Sequence, residues 1–129
     1  MRNPALVAAF VTVAALAAPG TARDRNQVPA ASPAGEPLSC IPLTRIGSTH
    51  VRSNSVIDFE MRDRKVYRVT LPFECPGLGF EERFSYATSL SQLCSTDIIT
   101  VLYAAGPQAG ASCGLAKFQP VTLDAKPRR

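Results

Sequence analysis

The chain has 129 residues, four cysteines and a formal net charge of +4. At this length it holds one domain at most. Between residues 40 and 120, eight Lys or Arg stand against seven Asp or Glu, so the basic excess lies in the terminal segments. A clustered basic face is the usual mark of a nucleic-acid-binding protein. The composition therefore predicts a single small domain with no nucleic-acid partner.

Residues 1–22 have the three parts of a secretory signal peptide. Arg2 supplies the positive charge, residues 5–18 are almost entirely apolar or small, and residues 20–22 are the small residues Gly-Thr-Ala. A membrane anchor is the alternative, but an apolar run of about 14 residues is shorter than the roughly 20 that a spanning helix needs. We expect cleavage after Ala22, a periplasmic or secreted protein, and no transmembrane segment in the mature chain.

Two segments flank the part of the chain that is predicted to fold. Residues 23–38 are rich in Pro, Ala, Ser and charge without an apolar period, which predicts a flexible leader. Residues 122–129 end in a polar, basic, proline-containing stretch and are predicted to form a flexible tail. The domain is then expected at residues 39–121, a size at which a hydrophobic core is marginal and covalent links are common.

Short strands separated by Gly and Pro turns are the main pattern of this domain. In chain order the predicted strands are residues 42–46, 56–62, 66–71, 83–86, 97–103 and 111–118. The run from Asp97 to Tyr103 is apolar on both faces, which is typical of a central strand. We predict an all-β fold, a small antiparallel sheet or a partly closed barrel of about five strands, stapled by two disulfides.

The strands at 56–62 and 66–71 alternate apolar and charged residues and are predicted to pair as a hairpin. Matching their apolar faces sets Phe59 opposite Val69, because a slip of one residue would bury charge. The same register sets Glu60 across from Arg68, which is a favourable ion pair.

The weakest pattern is the long loop at residues 76–93, where only the short strand at 83–86 is predicted. Loops of this kind often carry binding residues. Phe80, Phe84 and Tyr86 could form an aromatic platform for a ligand, but a domain without Trp needs its aromatic side chains in the core. We therefore predict that these three side chains are packed.

The cysteines, Cys40, Cys75, Cys94 and Cys113, are predicted to form two disulfides, as an even number does in small exported domains. Zinc is disfavoured because the chain lacks Cys-x-x-Cys spacing and His50 is its only histidine. If the strand before Cys75 neighbours the strand after Cys94, those two sulfurs can meet. If the first and last strands pair, Cys40 meets Cys113. The predicted pairs are therefore Cys75–Cys94 and Cys40–Cys113, out of three possible connectivities.

Dispersed residues of the domain form a recognisable succession. They are Cys40, the strand from Tyr67 to Leu71, Cys75-Pro-Gly-Leu78, Phe84-Ser-Tyr86, Leu93-Cys94 with Asp97, the strand from Ile98 to Leu102, Cys113-Gly-Leu115 and Phe118. This succession resembles a family of small exported bacterial proteins that is defined only as a domain of unknown function. The resemblance implies export and a single domain, and it supplies no catalytic residue.

No catalytic, cofactor-binding or metal-binding residue is predicted, and no cofactor. His50 has a useful pKa but is expected to be solvated in a loop or at a strand edge. Glu81 and Glu82 are adjacent, so on a strand they would point to opposite faces. The Gly-x-Gly at residues 77–79 lacks the strand-to-helix context of a phosphate site.

The predicted function is therefore a non-catalytic binding or structural protein of the cell envelope. It is expected to be a monomer, with an envelope protein or a cell-wall component as its partner. The alternatives are an inhibitor of a lytic enzyme such as lysozyme, which like charges disfavour, and a small hydrolase that uses His50.

Cleavage of the signal peptide is directly testable. The exported protein should begin at Arg23 and remain in the soluble fraction, because residues 5–18 are too short to anchor it. Intact mass spectrometry of the fractionated protein measures this. An uncleaved amino terminus recovered with the membranes would contradict the prediction.

Overall fold

The computed structural model describes Ala14 and residues 28–88, 90–106 and 108–124. The predicted signal peptide, apart from Ala14, and residues 125–129 of the predicted tail lie outside this part. The strands of the described part are β1 (Ala31–Pro33), β2 (Cys40–Pro42), β3 (Ile46–Val51), β4 (Val56–Met61), β5 (Val66–Thr70), β6 (Phe84–Tyr86), β7 (Gln92–Cys94), β8 (Ile98–Leu102), β9 (Ala109–Gly114) and β10 (Gln119–Leu123). A 3-10 turn at Leu43–Arg45 and a short helix α1 (Leu78–Glu81) complete the elements. Neither the 3-10 turn nor α1 is long and apolar enough to span a membrane.

The strands form three antiparallel sheets. The largest has the order β1-β10-β5-β4-β3, a second has the order β6-β8-β9, and β2 pairs with β7. This arrangement confirms the predicted all-β, antiparallel, disulfide-linked fold. The described strands leave the sheets open and form no closed barrel.

The core lies between the two larger sheets, and its centre is Phe59. The alternation of β4 places Ile57, Phe59 and Met61 on the buried face, as the sequence predicts. The Phe59 ring meets Phe84 of β6 edge-on, with ring centroids 6.4 Å apart, and Phe118 at 5.6 Å. Edge-to-face contacts of this kind stabilise beyond the area they bury. The two sheets are therefore joined through one aromatic cluster.

The hairpin of β4 and β5 has the predicted faces but a different register. Phe59 lies opposite Tyr67, and Arg68 lies opposite Asp58 instead of Glu60. The cause is a tight turn in which the Met61 N–H donates to the Lys65 carbonyl at 2.8 Å. Matching the apolar faces of two strands excludes a shift of one residue, but a shift of two residues keeps every apolar side chain on the same face. The register is therefore set by the turn.

Several strand boundaries also differ from the prediction. The predicted strand at 42–46 is occupied by the 3-10 turn, with β2 ending before it and β3 beginning after it. The predicted strand at 111–118 is strand only as far as Gly114, in β9, while Phe118 forms an isolated bridge with Leu38 before β10 begins. The short strand at 83–86 is confirmed as β6, and β8 is central in its sheet as expected.

The leader was predicted to be flexible over residues 23–38, and this is wrong for its second part. Residues 31–33 form β1, which pairs with β10, and the Ala34 N–H donates to the Pro120 carbonyl at 2.8 Å. At the other end β10 continues to Leu123, beyond the predicted limit of 121. The prediction was based on the side chains of the leader, which have no apolar period. The strand is held instead by backbone hydrogen bonds to β10, which do not depend on side-chain type.

The disulfide connectivity was also predicted wrongly. The bonds are Cys40–Cys94 and Cys75–Cys113, with Cα atoms 4.0 and 5.9 Å apart. Pairing of β2 with β7 puts Cys40 directly opposite Cys94. The loop after β5 reaches β9, which brings Cys75 to Cys113. The predicted pairing required the first and last strands to bring Cys40 to Cys113, but β10 pairs with β1 and β5 instead.

Removing the bond between the two larger sheets should destabilise the domain strongly. Cys75→Ala with Cys113→Ala should lower the free energy of unfolding by about 4 kcal/mol, because the bond spans 38 residues and restricts the unfolded chain. Chemical denaturation measures the loss. Non-reducing peptide mapping of the wild type is the control, and a peptide joining Cys75 to Cys94 would contradict the connectivity.

Candidate binding surface

A buried ion cluster lies on the outer face of the five-stranded sheet. Asp58 of β4 has no exposed surface and accepts hydrogen bonds from two arginines. Arg68 donates from Nε at 2.7 Å and from Nη2 at 2.9 Å, and Arg52 donates from Nε at 3.0 Å. Arg68 is the cross-strand neighbour of Asp58, while Arg52 follows β3 in the hairpin that leads to β4. The arginine side chains together cover the carboxylate.

The protonation of this cluster follows from its contacts. Burial raises the pKa of Asp58, but the hydrogen bonds and positive charges of Arg68 and Arg52 outweigh it, so the pKa lies below its usual value. The hydrogen bond to Asp58 raises the pKa of Arg68. Alternation along β4 places Asp58 on the outer face of the sheet, but the two arginines bury it there. Three hydrogen bonds from the two arginines hold the carboxylate and link the β3–β4 and β4–β5 hairpins.

His50 is accompanied by a serine and a carboxylate, but their geometry is not that of a hydrolase. Its Nε2 lies 3.2 Å from Ser48 Oγ and 3.3 Å from Glu60 Oε2. In a catalytic triad, the nucleophile and the acid contact different nitrogens of the ring. Here both contact the same nitrogen, so the acid cannot orient a base toward the serine. His50 lies on β3, the edge strand of the sheet, and is partly exposed.

The remaining sequence candidates have structural contacts. Glu81 is in α1, where its Oε2 accepts the Ala104 N–H at 3.1 Å. The Gly79 N–H donates to Asn54 Oδ1 at 2.7 Å, and a Cβ at this position would lie 3.0 Å from the same oxygen. Gly79 is therefore required for the close approach of α1 to the β3–β4 hairpin. Its amide is not free for a phosphate.

Exposed apolar side chains are concentrated in one part of the chain. Six of the eight large apolar side chains that are exposed in the described residues come from residues 73–103. They are Phe73, Phe80, Tyr86, Leu90, Ile98 and Tyr103. The side chains of Phe73 and Phe80 are almost fully accessible, at 82% and 88%. The sequence predicted that Phe80 is packed, and this is wrong because α1 directs it away from the core.

The other two aromatic side chains of the predicted loop behave differently from Phe80. Phe84 packs against Phe59, as predicted. Tyr86 contacts Phe84 at a centroid distance of 6.4 Å but remains partly exposed. Phe84 and Tyr86 lie two residues apart on β6 and share a face, and Tyr86, the last residue of the strand, is the more exposed of the two.

Two concavities adjoin this part of the chain. The larger, of about 460 Å³, is lined by residues 85–87, 96–98 and Thr100. The smaller, of about 250 Å³, lies between β9 and the loop that follows β5, and it includes Phe73.

Across residues 28–88, 90–106 and 108–124, no group of three or more His, Cys, Asp or Glu side chains could hold a metal ion. The chain matches no family model, no curated protein and no solved structure.

The ion cluster predicts a pH-dependent contribution to stability. Asp58→Asn should lower the free energy of unfolding at pH 7 by about 3 kcal/mol, because it leaves two largely buried arginines without a counter-charge. The pKa of Asp58 is lowered in the folded state, so this contribution is present above about pH 4 and is lost as the pH falls through that lowered value.

Chemical denaturation of the wild type and of Asp58→Asn between pH 2 and pH 7 measures the effect. Asp63→Asn is the matched control. Asp63 forms an exposed pair with Arg45 at 3.7 Å and accepts the Lys65 N–H at 3.1 Å, an acceptor role that the Asn oxygen keeps, so we expect a loss of less than about 1 kcal/mol. Equal losses in the two variants at pH 7 would show that the cluster does not stabilise the sheet.

Proposed function

We propose that this chain is an exported, non-catalytic binding protein of the cell envelope whose contact surface is formed by residues 73–103. The observation that carries the proposal is the concentration of exposed apolar side chains in this segment. Scattered apolar residues are normal on a protein surface, whereas a contiguous exposed apolar patch marks a binding surface, and we propose that side chains of this segment form one. Phe73 and Phe80 are its most accessible members.

The segment is rigidly attached to the rest of the domain, which favours binding. Cys75–Cys113 ties the loop that carries Phe73 to β9, and the Gly79 contact with Asn54 holds α1, which carries Phe80. Aromatic side chains on a fixed backbone lose little conformational entropy when a partner covers them. Such side chains often supply most of the binding energy at an interface.

Export is supported by the cysteines. All four are paired in two disulfides, and disulfides of this kind persist in oxidising compartments. The signal peptide predicted at residues 1–22 gives the route, and the periplasm or the cell exterior is the destination. The partner is then an envelope protein or a cell-wall component, bound by a monomer.

The absence of a catalytic role is proposed from geometry. His50 contacts Ser48 and Glu60 through one nitrogen, and it lies on the outer face of the five-stranded sheet, whereas neither concavity described above includes it. Function is argued from the arrangement of a site, and this arrangement offers no reacting centre.

Sedimentation with isolated envelopes tests the proposal. Purified protein is mixed with envelopes from the cells that produce it, and the bound fraction is measured after centrifugation. Wild-type protein should sediment with the envelopes. Phe73→Ser with Phe80→Ser should reduce the bound fraction at least about tenfold, the loss expected when aromatic contacts are removed from an interface.

Val28→Ser is the matched control, because Val28 is an exposed apolar residue outside the segment. It should bind as the wild type does. The double variant should unfold at the wild-type temperature, because neither phenylalanine is buried. Wild-type protein that stays in the supernatant, or a double variant that sediments normally, would refute the proposed function.

A further inference from the structure

Three hydroxyl groups lie in line across the outer face of the three-stranded sheet. Ser85 of β6 pairs with Thr100 of β8, and Thr100 pairs with Ser112 of β9. Thr100 Oγ1 and Ser112 Oγ are 3.0 Å apart. The neighbouring residues Ile99 and Val101 are fully buried on the opposite face. Alternation along β8 therefore directs this hydroxyl row, Ser85, Thr100 and Ser112, to the surface.

The larger concavity lies over Ser85 and Thr100 of this row and adds groups of complementary chemistry. Tyr86 and Ile98 contribute partly exposed apolar surface at its margin. Asp97 and Thr96 contribute polar groups from the turn before β8. Asp97 Oδ2 accepts the Cys94 N–H at 2.7 Å, which fixes the carboxylate while its other oxygen can accept a further hydrogen bond.

We propose that this concavity binds a neutral sugar unit of a glycan. Hydroxyl groups both donate and accept hydrogen bonds, so Ser85, Thr96 and Thr100 match the hydroxyls of a sugar, which do the same. Ile98, two residues from Thr100 on β8 and on the same face, offers apolar surface to the C–H face of the ring. The volume of about 460 Å³ lies within the range of small-ligand sites. The site is open to solvent, so an internal unit of a polymer can enter it.

The charge of the lining excludes the obvious alternatives. Lys and Arg are missing from the residues that line the concavity, and Asp97 supplies a negative charge. A phosphate, a sulfate or an acidic polysaccharide would meet repulsion without a compensating cation. The row of hydroxyls also offers no deep apolar pocket for a peptide side chain.

The inference rests on the proposed function only in assigning binding to residues 73–103, and it uses different side chains from Phe73 and Phe80.

Isothermal titration calorimetry with defined oligosaccharides tests the inference. The neutral probes are hexamers of N-acetylglucosamine and of glucose, and oligogalacturonate is the acidic probe. The wild type should bind at least one neutral hexamer and should not bind the acidic one. Thr100→Val should weaken that binding at least tenfold, because valine keeps the branched shape of threonine on a strand but removes its hydroxyl. Ile98→Ser should weaken it as well, because it removes the apolar surface beside Thr100.

Thr70→Val is the matched control, since Thr70 is an exposed threonine on β5 outside the concavity. It should bind within about twofold of the wild type, and all variants should have wild-type unfolding temperatures, as is usual for surface substitutions. Failure of both neutral hexamers to bind, tight binding of the acidic probe, or unchanged binding by Thr100→Val would overturn the inference. Envelope sedimentation that still depends on Phe73 and Phe80 would then leave the proposed function standing.

Discussion

The packing of Phe59 is the contact on which the arrangement of the two larger sheets depends. It comes from the middle of β4, is fully buried, and touches Phe84 of the second sheet and Phe118 just before β10. Because Phe84 points inward from β6, its neighbour Ser85 must point outward. The surface of the three-stranded sheet is therefore determined by the same packing that forms the core. A substitution at the core would displace the hydroxyl row as well as reduce stability.

The two outer faces differ in how they use their polar residues. On the five-stranded sheet, Asp58 is fully buried and paired with Arg52 and Arg68, so the opposite charges offset one another and hold the hairpins together. On the three-stranded sheet, Thr100 and Ser112 contact each other and remain at the surface. Saturated polar groups stabilise a fold, whereas polar groups with spare capacity can bind a ligand. This difference is why we place the sugar site on the three-stranded sheet.

The sequence predicts what depends on local alternation and misses what depends on which strands are neighbours. Ile57 and Phe59 are buried as expected because period two fixes the faces of β4. Cys40 meets Cys94 because β2 pairs with β7, and strand order across a sheet has no local signal. The burial of Asp58 has no local signal, because the arginines that cover it come from two other segments of the chain. The hydroxyl row was missed for the same reason, since Ser85 and Thr100 become neighbours only when β6 pairs with β8.

The two disulfides interleave along the chain, since Cys75 lies between Cys40 and Cys94 while Cys113 lies beyond them. A protease that cuts the backbone once between residues 40 and 113 leaves both fragments covalently joined. Two cuts in different intervals between successive cysteines also leave every cysteine-bearing fragment attached. A nested pairing would release its inner fragment after two such cuts. In a compartment rich in proteases, this topology allows a nicked molecule to stay in one piece.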